Sequence, residues 1–264
     1  MIVRYQVQGE AGYGWLQDGL IAKLQGDIFD EYSPSETRIP LHQAKLLSPV
    51  QPSKIVCVGL NYVDHAKEVH LELPKEPLLF LKPSTAVIGP EDQVMYPASS
   101  KRLDYEAELG VVIRKKAYRI SEHEAADYIL GYTCANDITA RDIQFGDGQW
   151  TRGKSFDTFC PIGPGIVPGL DPGRLEIKLT VNGELKQHSR TDNLIFPIPY
   201  LVHYISQVMT LLPGDVIITG TPAGVGPMNI GDHVSVYIEG IGELSNVIIG
   251  DEKAVNSEDV FIQA

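Results

Sequence analysis

The chain has 264 residues, 43% hydrophobic and 21% charged, a globular balance that allows one large domain or a domain with a small appendage. Its formal net charge of −12 and isoelectric point near 5.0 argue against nucleic acid or an anionic membrane as the main partner, because phosphate binding needs a basic surface. A small anionic substrate stays open, since one cation and a few basic side chains can invert the field inside a cleft.

The first eight residues alternate like a strand and contain no apolar signal-peptide core, so the expectation is a cytoplasmic protein. Strands are predicted at 5–7, 14–17 and 20–24, around Gly-rich turns. Residues 1–50 thus read as a small β-rich N-terminal domain, closed by Pro49 and Pro52, with the main body over 51–264. The three cysteines, Cys57, Cys134 and Cys160, have no disulfide spacing and read as reduced, packed thiols.

In the main body the pattern predicts a buried strand over 54–59, a short helix or turn over 61–69, and a Pro- and charge-rich loop over 72–77. Short strands follow at 78–81, 86–88 and 93–96, then a long one over 106–115. Ser121 and Glu124 form a capping-box pattern that predicts an amphipathic helix to about Leu130. Asn182-Gly183 between two strand patterns predicts a hairpin with a type I′ turn. Residues 194–212 contain no Asp, Glu, Lys or Arg, but Pro197, Pro199, His203, Ser206 and Gln207 interrupt them. A buried helix starting near Pro199 fits better than a membrane span. Strands are expected at 216–219, 233–239 and 242–249. Strands outnumber helices without a βαβ rhythm, so the fold class expected is α+β, mainly β.

The residues that carry chemistry begin with Glu106 and Glu108, at i and i+2 of the long predicted strand, where side chains share a face. Two unpaired carboxylates beside a core-forming run are costly, and a divalent cation is the simplest remedy. Asp137 adds a third carboxylate after another strand-like run. Three hard oxygen ligands suit Mg²⁺, Mn²⁺ or Ca²⁺ better than zinc.

His65 and Glu68 are spaced to share a helical turn. They read either as a base oriented by a carboxylate or as a surface pair. Arg141, with Gln144 three residues on, reads either as a substrate cation or as a partner of Asp142. Lys154, between glycine and aromatic residues, reads either as an electrostatic catalyst or as an exposed loop lysine. The run Gly220-Thr221-Pro222-Ala223-Gly224-Val225-Gly226 lacks the phosphate-loop ending. It reads as backbone N–H groups and a Thr221 hydroxyl offered to a carboxylate. No nucleophile elbow and no His/Cys zinc signature is present.

Taken together, the blocks 59–68 (GLNYVDHAKE), 80–85 (FLKPST), 103–113 (LDYEAELGVVI), 136–142 (NDITARD), 153–157 (GKSFD), 212–226 (LPGDVIITGTPAGVG) and 240–246 (GIGELSN) resemble the fumarylacetoacetate hydrolase family in order along most of the chain. The resemblance implies a mixed β-roll catalytic domain, a homodimer and one Mg²⁺, with Mn²⁺ or Ca²⁺ as substitutes. It implies Glu106, Glu108 and Asp137 as metal ligands and His65 with Glu68 as the water-activating dyad. Arg141, Gln144, Lys154 and Thr221 would hold a 2-oxo acid and its enolate. Asp64 stands near a further ligand position of more elaborate members and is left out. The implied activity is acylpyruvate C–C hydrolysis or oxaloacetate decarboxylation or tautomerisation. Isomerisation of 2-hydroxyhepta-2,4-diene-1,7-dioate is the runner-up. A non-catalytic metal- and dicarboxylate-binding protein is a reading of another class, which the complete residue set disfavours. The composition after the dyad also predicts a mobile lid over 67–79.

Overall fold

The computed structural model describes residues 1–251. The fold is mainly β, of the α+β class, and its largest element is a twelve-stranded mixed sheet. From one edge its main path runs through Tyr32–Pro40, Leu20–Gly26, Glu10–Gln17, Ile2–Val7, Cys160–Val167, Ile129–Asn136, Ala107–Ile113, Val216–Ile218, Ile55–Gly59 and Leu78–Lys82. A five-stranded sheet contains Glu184–Arg190, Glu176–Val181, His233–Ile238, Gly242–Gly250 and Gln93–Tyr96. A small three-stranded sheet joins Thr139–Ala140, Leu103–Tyr105 and Gly226–Met228.

Both faces of the large sheet's centre are covered, which is why its strands read as continuous apolar runs rather than as alternations. Leu109, Val111 and Ile113 pack with Ile177, Leu179, Val234 and Val236 of the five-stranded sheet. Their neighbour Val112 points the other way, with Ile55, Cys57, Val216 and Ile218, into a second core that also takes Ile2, Leu24 and Ile28 from the N-terminal strands. The helix Ile198–Val208 buries Ile198, Leu201, Val202 and Ile205 at helical spacing, and Pro199 stands in its first turn. Among the described residues no helix is long and apolar enough to cross a membrane. The three cysteines are buried and free.

Asn182 and Gly183 both have positive φ (52° and 79°) between paired strands, as a type I′ turn requires. Two expectations change. Residues 122–128 wind as a 3₁₀ helix, although Ser121 N–H donates to the Glu124 carboxylate at 3.0 Å as the capping box predicts. The strand read over 106–115 is broken at Glu106: Leu103–Tyr105 belongs to the small sheet and Ala107–Ile113 to the large one. Its partner switches sheets at the same level, between Ile129–Asn136 and Thr139–Ala140. This shared corner takes Glu106 and Asp137 out of the strand ladders. Glu106 N–H donates to Asn136 Oδ1, and Asp137 N–H donates to the Glu106 carbonyl, both at 2.9 Å.

Candidate active site

The corner brings Glu106, Glu108 and Asp137 together, with one carboxylate oxygen of each within 4.8 Å of the others. All three are buried. They form the floor of a cavity of about 400 Å³. Two loops build its wall. The strands Ile55–Gly59 and Val216–Ile218 run parallel, so the chain leaves both at the same end, the usual place for a site in such a pair. The first exit leads into the helix Val63–Glu68 and the second into Gly220 and Thr221. Asn61 fastens the exits to each other: its amide donates to the Thr219 carbonyl at 2.8 Å. Gly220 has φ of 98°, and a Cβ there would stand 2.8 Å from Asn61 Cβ, so the close approach requires glycine.

Cations neutralise the floor unevenly. Lys154, on the short helix Thr151–Lys154, is buried rather than an exposed loop residue. Its Nζ donates to Glu106 at 2.8 Å and to Asp137 at 2.6 Å. Arg141 does not hold Asp142, whose carboxylate accepts instead from Ser100 Oγ and Lys101 N–H. The Arg141 guanidinium donates to Asp104 (2.8 Å), Gln144 Oε1 (2.6 Å) and Glu106 (2.5 Å). Three of its five N–H donors are engaged within the protein, and the side chain also lines the cavity. Because arginine can only donate, this contact fixes the Gln144 amide with its oxygen toward Arg141 and leaves its NH₂ without a hydrogen-bond partner among the described residues. Burial opposes ionisation of Glu106, but Lys154 and Arg141 outweigh it and hold the carboxyl below its usual range.

Glu108 differs. Among the described residues it forms no ion pair, and it accepts a 2.6 Å hydrogen bond from Gly220 N–H. Burial pushes its carboxyl well above the usual range, and the neighbouring Asp137 and Glu106 push it further.

On the wall, His65 Nδ1 lies 2.9 Å from Glu68 Oε2. Glu68 Oε1 also accepts from Gly224 N–H at 3.0 Å. The Gly-rich loop thus offers its N–H groups to carboxylates, as its composition suggested, but to the protein's own. Asp64 caps His65 N–H and accepts from Ser189 Oγ, and stands outside the carboxylate triad.

The description Fumarylacetoacetate (FAA) hydrolase C-terminal fits residues 54–249, and Rv2993c-like, N-terminal fits residues 1–49. The chain belongs to the fumarylacetoacetate hydrolase family. MJ1656 of Methanocaldococcus jannaschii is 56% identical over 206 residues, 78% of this chain and 87% of the relative. The mitochondrial oxaloacetate tautomerase Fahd2a of Rattus norvegicus is 43% identical over 223 residues, 80% of this chain and 71% of the relative. The crystal structure of 2-hydroxyhepta-2,4-diene-1,7-dioate isomerase from Mycobacterium marinum matches with a TM-score of 0.89 at 42% identity, covering 95% of this chain and 98% of that one.

This fumarylacetoacetate hydrolase family site uses two further residues that spacing did not reveal. Lys82, fully buried at the end of its strand, donates to Asp137 and, at 2.9 Å, to the Ile138 carbonyl. Gln187, on the five-stranded sheet, accepts from Ala107 N–H, the amide between the two glutamates, at 2.9 Å. Its NH₂ donates to Thr221 Oγ1 at 2.9 Å and to the Pro222 carbonyl at 2.8 Å. The Thr221 oxygen is thus used as an acceptor, and its own proton stays available for the cavity. Lys82 sits inside the block 80–85, so a buried-strand lysine was the available signal. Nothing local marked Gln187.

Proposed function

We propose that this chain is a divalent-cation-dependent enzyme that moves a proton on a 2-oxo acid, with keto–enol tautomerisation of oxaloacetate as the reaction supported best. The observation that carries the reading is Glu108. It is a buried carboxylate on a floor where Glu106 and Asp137 have cationic partners and it has none. The donor set fits a hard divalent ion: three buried carboxylates, each with an oxygen within 4.8 Å of the others'. Glu106, Glu108 and Asp137 would hold Mg²⁺, with Mn²⁺ or Ca²⁺ as substitutes. Such an ion, when bound, supplies Lewis-acid stabilisation to a 2-oxo oxygen.

The protein's own groups do the rest. Glu68 engages His65 Nδ1, which leaves Nε2 as the free ring nitrogen at the cavity wall. Nε2 takes a proton from the carbon next to the oxo group. The electron pair moves to the oxo oxygen, to which the protonated His65 ring returns the proton through water to give the enol, and reversal returns the keto form. The buried Lys154 ammonium lies where negative charge develops. The Gln144 NH₂ and the Thr221 hydroxyl are donors held ready for the substrate carboxylate. Arg141 keeps that wall in place.

The rat relative's name supports tautomerisation. A second reading, isomerisation of a seven-carbon diacid, is favoured by the cavity of about 400 Å³ together with the likeness to the M. marinum isomerase. The same constellation can serve acylpyruvate hydrolysis or oxaloacetate decarboxylation, which a substrate panel separates. The two family matches support reading 1–50 and 51–264 as an N-terminal and a catalytic unit. A homodimer, which light scattering would test, completes the proposal. The test is decay of the oxaloacetate enol absorbance. Mg²⁺ should support it and EDTA and His65→Ala should each abolish it. A rate indifferent to both overturns the reading.

A further inference from the structure

We infer that Arg102 reads the second carboxylate of the substrate and makes this site selective for diacids. The inference rests on the 2-oxo acid reading of the floor and adds what the mouth of the cavity recognises.

The cavity's cations divide by accessibility. Lys154 and Arg141 have side chains only 3% and 13% exposed, and both groups are held by Glu106, Asp137, Asp104 or Gln144. Arg102 also lines the cavity, but its side chain is 51% exposed. Its Nε donates to Asp104 Oδ1 at 2.8 Å, while Arg141 Nε occupies Oδ2 of the same buried carboxylate at the same distance. Among the described residues no protein group is bonded to the terminal nitrogens of Arg102. The guanidinium is therefore anchored at its stem side and open along its outer edge, the edge that matches a carboxylate with paired N–H groups. Anchoring removes part of the rotamer freedom that a ligand would otherwise have to freeze.

Val69, Leu71, Phe145, Trp150 and Val225 give the lining an apolar part, and the His65–Glu68 pair on the wall adds one partly exposed carboxylate. Glu68 is held by His65 Nδ1 and Gly224 N–H, so the accessible guanidinium that an entering anion meets is Arg102.

The test uses the Mg²⁺-loaded protein, with oxaloacetate as the diacid and acetylpyruvate as the substrate lacking the second carboxylate. Oxalate, a two-carbon diacid short enough to occupy the floor alone, serves as the control. Arg102→Gln should raise KM for oxaloacetate about 10- to 100-fold, the range of a hydrogen bond to a charged group. The KM for acetylpyruvate and the Ki for oxalate should not move, and Arg102→Lys should recover part of the oxaloacetate affinity. If oxalate binds but Arg102→Gln leaves oxaloacetate unaffected, or weakens all three ligands alike, Arg102 is not the reader and the floor reading stands. If oxalate does not bind the native protein with Mg²⁺, the floor reading fails and this inference fails with it.

Discussion

The floor and the mouth of the cavity are built on opposite terms. On the floor the three carboxylates are buried; Glu106 and Asp137 are matched by cations from distant parts of the chain, and Glu108 by the Gly220 N–H alone among the described residues. At the mouth Val69, Leu71 and Phe145 stand 41%, 60% and 77% exposed around a half-open Arg102. A floor saturated by protein contacts can be rigid and still lack one charge, whereas an apolar rim with one open cation can change its ligand without disturbing the fold. Substitutions in the two regions should therefore differ in kind: floor changes abolish chemistry or stability, and mouth changes alter selectivity.

The largest effect expected is at Glu108. Glu108→Gln should lower kcat/KM about 10²- to 10³-fold and weaken Mg²⁺ binding in calorimetry, since it removes the carboxylate that lacks a cation. Unchanged Mg²⁺ affinity would remove Glu108 from the proposed ligand set. His65→Asn should lower kcat about 10²- to 10⁴-fold while oxalate affinity and the melting temperature hold, because it deletes a base and not a support. Loss of folding in that variant would instead make the His65–Glu68 contact structural.

Lys82→Met sharpens the comparison through stability. It leaves Asp137 with Lys154 alone and should cost about 3–5 kcal/mol in urea unfolding, the range for breaking a buried pair. Gln187→Leu should cost about 1–3 kcal/mol, because the buried Ala107 N–H and Pro222 carbonyl lose their partner. It should also raise the Ki of oxalate by freeing the Thr221 hydroxyl to turn, and a Thr221→Val background should remove that second effect. The smallest change is at the rim. Residues 67–79 should be cut more slowly by protease when oxalate and Mg²⁺ are bound, and equal cutting would count against a lid.

How much of this was legible depends on how far each residue's partner lies along the chain. The Asn182-Gly183 turn and the helix at Ile198–Val208 are set by neighbours and were readable from pattern alone. The capping box at Ser121 marked a true helix start, but the continuation is a 3₁₀ helix, a distinction the cap residues do not encode. Glu106 and Glu108 do converge, though not as neighbours on one strand. The break at Glu106 needs the corner formed with Asn136, thirty residues later, and with Asp137 beside it, which no local signal announces. Lys82 meets Asp137 from 55 residues away and Gln187 meets Ala107 from 80, so their places follow from sheet topology and not from spacing. Arg141 shows the reverse case. Its place beside the site was readable, but its engagement with Asp104, 37 residues earlier in a different block, depends on how the two strands pair.

The most direct test is anomalous diffraction from crystals grown with Mn²⁺. One strong peak enclosed by oxygens of Glu106, Glu108 and Asp137, absent in Glu108→Gln crystals, is the predicted result. A map with no peak there, and with the Lys154 ammonium still seated between Glu106 and Asp137, would contradict it.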